Sequence, residues 1–96
     1  LYLQPDIGRC GGVTEWIRIA ELADNYELQL TSHLLHEISV SLISPFECGF
    51  AVEYMNFFKD NPHTEDFSVK NGKIKIPSAP GHGVHFSKEA KQKYQC

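Results

Sequence analysis

Asp6, His33 and Glu53 are the residues whose types and spacing point to chemistry. An acid, an imidazole and a second acid are the side chains of proton transfer, and they stand 27 and 20 residues apart. Each has a plain alternative. Asp6 can be a turn residue ahead of Gly8. His33 can sit at a helix start or be a satisfied buried histidine. Glu53 is the odd one, because it falls inside the apolar run Phe50–Met55. An unpaired buried carboxylate is costly, so it needs a partner, a metal or a proton there, unless it faces solvent from a half-exposed strand.

Other residues carry weaker signals. His36 lies three residues after His33, a spacing that puts both on one helix face. Yet His33-Leu34-Leu35-His36-Glu37 matches neither common zinc-helix pattern, so a solvated or packed His36 is the default. His82 and His85 read as surface histidines, and Arg9 as a surface arginine able to pair with an acid. Trp16 reads as core, and Lys88, Lys91 and Lys93 as a solvated helix face. Cys10, Cys48 and Cys96 are odd in number, far apart and lack a C-x-x-C pair. They read as structural or incidental thiols in a reducing cytoplasm, not as a disulfide framework or a zinc site.

These side chains need elements to hold them. Leu1–Asp6 reads as the end of a short strand, with Pro5 tolerable at its margin. Gly8, Gly11 and Gly12 make a loop, and Thr14 is the expected N-cap of a helix with Glu15 in its first turn. Trp16, Ile19, Ala20 and Ala23 form one face of that helix, which loosens at Asp24-Asn25. Leu28–Ser32 is a strand that stops at His33, Leu35–Ile43 a helix closed by Pro45, and Phe50–Met55 a third strand. After Phe58 a polar linker, Lys59–His63, leads to Phe67–Lys70 and Lys73–Ile76. These flank Asn71-Gly72, a strong hairpin signal. Pro77, Pro80, Gly81 and Gly83 force an irregular tail, and Ser87 caps a last helix through Tyr94.

Alternating strands and helices predict parallel pairing with right-handed crossovers. A lone three-stranded parallel sheet leaves two edges open and its faces poorly covered. The expected fold class is therefore α/β. Residues 1–58 read as the C-terminal portion, the last strands and helices, of a (β/α) TIM-type barrel. Residues 59–96 read as linker, β-hairpin, Pro/Gly tail and terminal helix. In such barrels the chemistry sits at the carboxyl ends of strands. Asp6, His33 and Glu53 each fall at or near such an end and would converge at one mouth.

Composition narrows the partners. Twelve acidic and nine basic residues give a formal charge of −3, and Lys88–Lys93 is the one weak basic stretch. Nucleic acid gripped through its phosphates is therefore not expected. At 42% hydrophobic residues the 96-residue chain can build a core, which argues against disorder. No apolar run approaches the roughly 20 residues of a membrane span and no signal-peptide pattern opens the chain, so no membrane partner is expected. Leu at position 1 reads as a cut or processed start.

The segment Gln4-Pro5-Asp6-Ile7-Gly8-Arg9-Cys10-Gly11-Gly12-Val13-Thr14, then Ser32-His33-Leu34 with Glu37-Ile38-Ser39, then Val52-Glu53, resembles a known family. It is the mandelate racemase and muconate lactonizing enzyme branch of the enolase superfamily. Gly72-Lys73-Ile74-Lys75-Ile76-Pro77 and Pro80-Gly81-His82-Gly83 resemble that family's closing segment, so the likeness covers essentially the whole chain. Both spacings also fit the racemase pattern.

The resemblance implies abstraction of the proton α to the carboxylate of a hydroxy acid or sugar acid. Asp6 and His33 would be the dyad, His33 as base or acid and Asp6 accepting its other ring N–H. Glu53 would hydrogen-bond the substrate carboxylate, useful chiefly when it holds a proton. Mg²⁺ would stabilise the enediolate, a scheme that belongs to the superfamily at large. The resemblance also implies that the metal-binding carboxylates, a lysine base and a capping domain precede this chain. The missing N-terminal portion of the same protein would then be a partner, the isolated chain would be inactive, and the assembly would be a symmetric homo-oligomer. Racemisation and sugar-acid dehydration use the same dyad and stand nearly even. The alternative is a non-catalytic structural or binding fragment, against which the joint presence of Asp6, His33 and Glu53 argues.

Overall fold

The computed structural model describes residues 1–95; Cys96 lies outside them. Three short strands, β1 (Tyr2–Leu3), β2 (Gln29–Ser32) and β3 (Gly49–Val52), alternate with two helices, α1 (Val13–Asn25) and α2 (His36–Ile43). The strands pair in the order β1-β2-β3, all parallel, as the alternation demands. An antiparallel hairpin, β4 (Val69–Lys70) and β5 (Lys73–Ile74), and a last helix, α3 (Lys88–Tyr94), follow.

The apolar stripe of α1 builds the core. Trp16, Ala20 and Ala23 are fully buried against Leu30 of β2, with Ile7 and Ile43 completing the cluster. Trp16 lies edge-on to Phe46 with ring centroids 6.4 Å apart, and its indole N–H donates to the Pro5 carbonyl at 3.2 Å. The largest core side chain thus leaves no polar atom unpaired, and truncating it to Ala would cost about 3–5 kcal/mol.

The expected cap at Thr14 is corrected. Helix α1 begins at Val13 behind Gly12, with no side-chain cap. Gly12, at φ 92°, lets the incoming loop turn straight into the helix, and its carbonyl takes the Trp16 N–H at 3.0 Å. Thr14 therefore falls inside the first turn.

Strand β3 is also shorter than its apolar run. It stops at Val52, so Glu53 stands just past the strand end and not within it.

Nor is segment 59–63 a free linker. Pro62 is buried and the His63 side chain is 6% exposed. The His63 ring lies edge-on to Phe67 at 5.6 Å, and Phe67 in turn lies edge-on to His36. The tail folds back onto the start of α2 because it carries its own aromatic side chains to bury. The hairpin turns at Asn71-Gly72, both with positive φ (52° and 73°), as the dipeptide predicts. The Ser87 hydroxyl caps α3 by accepting the Ala90 N–H at 3.0 Å. Among the described residues no helix is long and apolar enough to cross a membrane, and Cys10 and Cys48 are free thiols.

Candidate active site

Beyond the ends of β1 and β2 the chains stay in register for one further step. The His33 N–H donates to the Pro5 carbonyl at 3.2 Å, and Asp6 and His33 form an isolated parallel bridge. That register brings the side chains together, with His33 Nδ1 3.2 Å from Asp6 Oδ2. The other Asp6 oxygen accepts the Gly8 N–H at 2.7 Å, an Asx turn, and Arg9 Nε lies 3.4 Å from Oδ2. Asp6 is thus a turn residue and an imidazole partner at once, and Arg9 pairs with it while staying largely exposed. The Asp6 side chain is 14% exposed and that of His33 38%, so the ring keeps an open edge. Burial would raise the Asp6 carboxyl, but the Gly8 N–H, His33 and the Arg9 guanidinium outweigh it and hold the group below the ordinary carboxylate value.

Glu53 follows the Ser32–Val52 pair of the β2–β3 ladder. Its backbone N–H donates to Ser32 Oγ at 3.2 Å, and its Oε2 accepts the Leu34 N–H at 2.8 Å. The partner that Glu53 needs is thus a backbone amide. Leu34 and Leu35 both adopt left-handed conformations, φ 54° and 43°. For residues with a Cβ this costs roughly 1–2 kcal/mol each. The turn is held from several sides. The Ile38 and Ser39 amides donate to the Leu35 carbonyl at 3.1 and 3.0 Å, and Ser39 Oγ donates to the Leu34 carbonyl at 3.4 Å. Ser32 and Ser39, the two hydroxyls involved, are fully buried.

The structure therefore joins Asp6 to His33 directly and Glu53 to the residues on either side of His33. Residue types alone did not single out Ser32, Ser39 or the left-handed pair. Asp6-Ile7-Gly8 carried a readable turn signal, whereas nothing in Leu34-Leu35 announces φ above zero.

His36 is packed rather than solvated, its side chain 6% exposed and its ring 4.6 Å from that of Tyr54. Burial pushes the His36 imidazole below its ordinary value; Glu37 opposes this and the nearby His63 adds to it. The Glu37 carboxylate lies between the two rings, 3.6 Å from His36 Nδ1 and 3.5 Å from His63 Nε2. With Tyr54 and Phe67 they line a cavity of about 90 Å³ to which Asp6, His33 and Glu53 do not contribute. Among the described residues no three His, Cys, Asp or Glu side chains are arranged to hold a metal ion.

Comparison with known proteins bears on this arrangement. The family model described as enolase C-terminal domain-like matches residues 1–90. The chain is 31% identical over 81 residues to the 3,6-anhydro-alpha-L-galactonate cycloisomerase of Streptomyces coelicolor, covering 84% of this chain and 22% of that protein. Its fold matches an enolase from Bradyrhizobium, crystallised with magnesium and mandelic acid. The TM-score is 0.84 and the identity 29%, over 99% of this chain and 26% of the other. It likewise matches the L-talarate dehydratase of Polaromonas sp. JS666, crystallised with Mg and L-glucarate, with TM-score 0.81 and 31% identity over 95% of this chain and 25% of the other. The chain thus spans about a quarter of the length of these proteins. These likenesses bear out the barrel-portion fold expected from the strand–helix alternation. The chain belongs to the enolase C-terminal domain-like family, within the mandelate racemase and muconate lactonizing enzyme branch of the enolase superfamily.

Proposed function

We propose that this chain is the C-terminal part of the catalytic barrel of an enolase-superfamily enzyme that removes the proton α to the carboxylate of a sugar acid. The observation that carries this reading is the Asp6–His33 pair, 3.2 Å apart at adjacent strand ends. An ionised Asp6 that accepts Nδ1–H fixes the tautomer in which His33 Nε2 takes a proton from substrate or returns one. Glu53 meets the substrate carboxylate through Oε1, since Oε2 holds the Leu34 amide, and donates a hydrogen bond there when protonated. Similarity to a sugar-acid cycloisomerase and to a sugar-acid dehydratase supports a sugar acid as substrate. In dehydration His33 would return its proton to the departing hydroxyl; in racemisation His33 would serve one face of the carbon, and a second acid–base group outside this chain would serve the other.

Magnesium accompanies both solved structures named above. The described residues of this chain do not fit its site, so its ligands would belong to the remainder of the barrel, where the family likeness also implies a lysine base. A cytoplasmic homo-oligomer accords with the free thiols and the family likeness.

A chimera tests the reading. This chain replaces the matching C-terminal quarter of the Polaromonas L-talarate dehydratase, and proton exchange and 2-keto-3-deoxy product are followed by NMR in D₂O with Mg²⁺ and a panel of sugar acids. Turnover that falls about 10²–10⁴-fold in His33→Asn is expected. A chimera with an intact cooperative melt that exchanges no α-proton, or whose His33→Asn form matches its parent, would overturn the reading in favour of a non-catalytic fragment.

A further inference from the structure

We propose that Glu53 is also a positioning residue for His33, acting through the backbone on both sides of it. The inference deepens the acid–base reading above and rests on it. His33 stands between Ser32 and Leu34, and Glu53 bonds to both: its N–H to Ser32 Oγ at 3.2 Å, and its Oε2 to the Leu34 N–H at 2.8 Å. Asp6 fixes one nitrogen of the ring, but a ring is only as fixed as the backbone that carries it.

The start of α2 holds the carbonyls of this turn, through the Ile38 and Ser39 amides and Ser39 Oγ, but nothing local takes up the Leu34 amide. Leu34 and Leu35 lie at φ 54° and 43°, a conformation leucine does not favour. The turn draws the Leu34 amide out of the strand ladder before α2 begins at His36, so neither element supplies its acceptor. Glu53 supplies it from the neighbouring strand end. The clamp survives protonation of Glu53. A carboxylate accepts the amide at Oε2, and so does the carbonyl oxygen of a protonated carboxyl, whose hydrogen then resides on Oε1. Positioning and hydrogen-bond donation thus fall on different oxygens of one side chain.

The assignment makes a prediction that separates Glu53→Gln from Glu53→Ala and Glu53→Asp. Glutamine keeps a carbonyl acceptor at the same reach; alanine removes it, and aspartate withdraws it by one methylene. In the full chain, amide hydrogen exchange of Leu34 and the NMR signal of the His33 Nδ1 proton are measured for all three. Glu53→Gln should keep Leu34 protection within about twofold and retain the His33 signal. Glu53→Ala and Glu53→Asp should each speed Leu34 exchange by about tenfold or more, the scale of one lost hydrogen bond, and broaden the His33 signal, while the Ile38 and Ser39 amides stay protected. Leu34 protection retained in Glu53→Ala or Glu53→Asp would overturn the proposal, as would its loss in Glu53→Gln.

Neither readout depends on turnover. In the chimera, loss of activity in Glu53→Gln with the His33 signal intact would mark the chemical role of Glu53 alone. A chimera that is folded but inactive would remove the acid–base reading and leave the clamp to be decided by Leu34 exchange.

Discussion

Asp6 divides its two oxygens between a turn and a ring, and the consequence can be read in its titration. Burial alone would raise the carboxyl, but the Gly8 N–H, His33 and Arg9 together overcome it and depress the group. Its ¹³C NMR midpoint should therefore fall below the ordinary value of about 3.9, and Arg9→Gln should bring it part of the way back. A depressed carboxyl binds its proton less readily in the folded chain than in the unfolded one. Its contribution to stability is whole above the unfolded value and drains away as pH falls through the folded one. Asp6→Asn should accordingly unfold at lower urea than its parent near neutral pH, with the gap closing below about pH 4; a gap that does not change with pH would count against the pairing. His36 obeys the same sign at higher pH. Its imidazole is depressed chiefly by burial, so the unfolded chain takes the proton first and stability should fall as pH drops below about 6.5. Urea midpoints across that range should fall less steeply in His36→Phe, which keeps a ring against Tyr54 and cannot titrate. Nothing in the residue order hints that His36 shares a carboxylate with His63, because the two meet only when the tail folds back across 26 intervening residues.

At the scale of elements, the features legible in the sequence were those set by short-range physics. The Trp16–Ala20–Ala23 stripe, the stop at Pro45 and the Asn71-Gly72 turn each follow from periodicity or backbone restriction, and each is present. One kind of feature not legible depends on an approach between distant segments. A second kind is a close local approach, as where the tight turn between α2 and β3 brings Gly49 almost into contact with the backbone at the end of the helix. A Cβ at Gly49 would stand 2.8 Å from the Ile43 carbonyl oxygen and 2.9 Å from that of Phe46. Both neighbours are backbone, so no rotamer change can make room. Gly49→Ala should destabilise by about 1–3 kcal/mol. At about 4–8 °C per kcal/mol for a chain of this size, the loss should be plain in a thermal melt. An unchanged melting temperature would mean that the α2–β3 junction is looser than these distances imply. The Asp6–His33 contact was legible because parallel register places successive strand ends side by side. The grip of Glu53 on the His33 loop was not, because two consecutive left-handed leucines leave no trace in residue type.

Across the whole molecule, the shape is that of a wall. The radius of gyration, 14.2 Å over extents of 46 × 31 × 24 Å, exceeds the roughly 12.5 Å of a compact domain of this length. One face of the sheet is covered by α1 and α2, and Leu30 is fully buried beneath them. Tyr2 pairs with Gln29, the residue before Leu30, and so points away from the helices. Its ring meets that of Phe50 at 5.6 Å, yet the two residues are 60% and 63% exposed. In a closed (β/α) barrel that face is the packed interior. The same substitution should therefore have two different costs. In this chain alone, Phe50→Ala removes a largely exposed ring and part of one aromatic pair, an effect of about 1 kcal/mol or less. In the chimera that completes the barrel, the same ring is core and its loss should cost about 3–5 kcal/mol. Urea unfolding of the two pairs of proteins measures both numbers. Equal losses in the two contexts would mean that the Tyr2–Phe50 face never becomes an interior, and that Asp6, His33 and Glu53 do not look into a closed barrel mouth. Unequal losses of the expected size would locate the site at the rim of that interior. The isolated chain, with Mg²⁺ and a sugar acid, should then exchange no α-proton, because it carries only part of the proposed site.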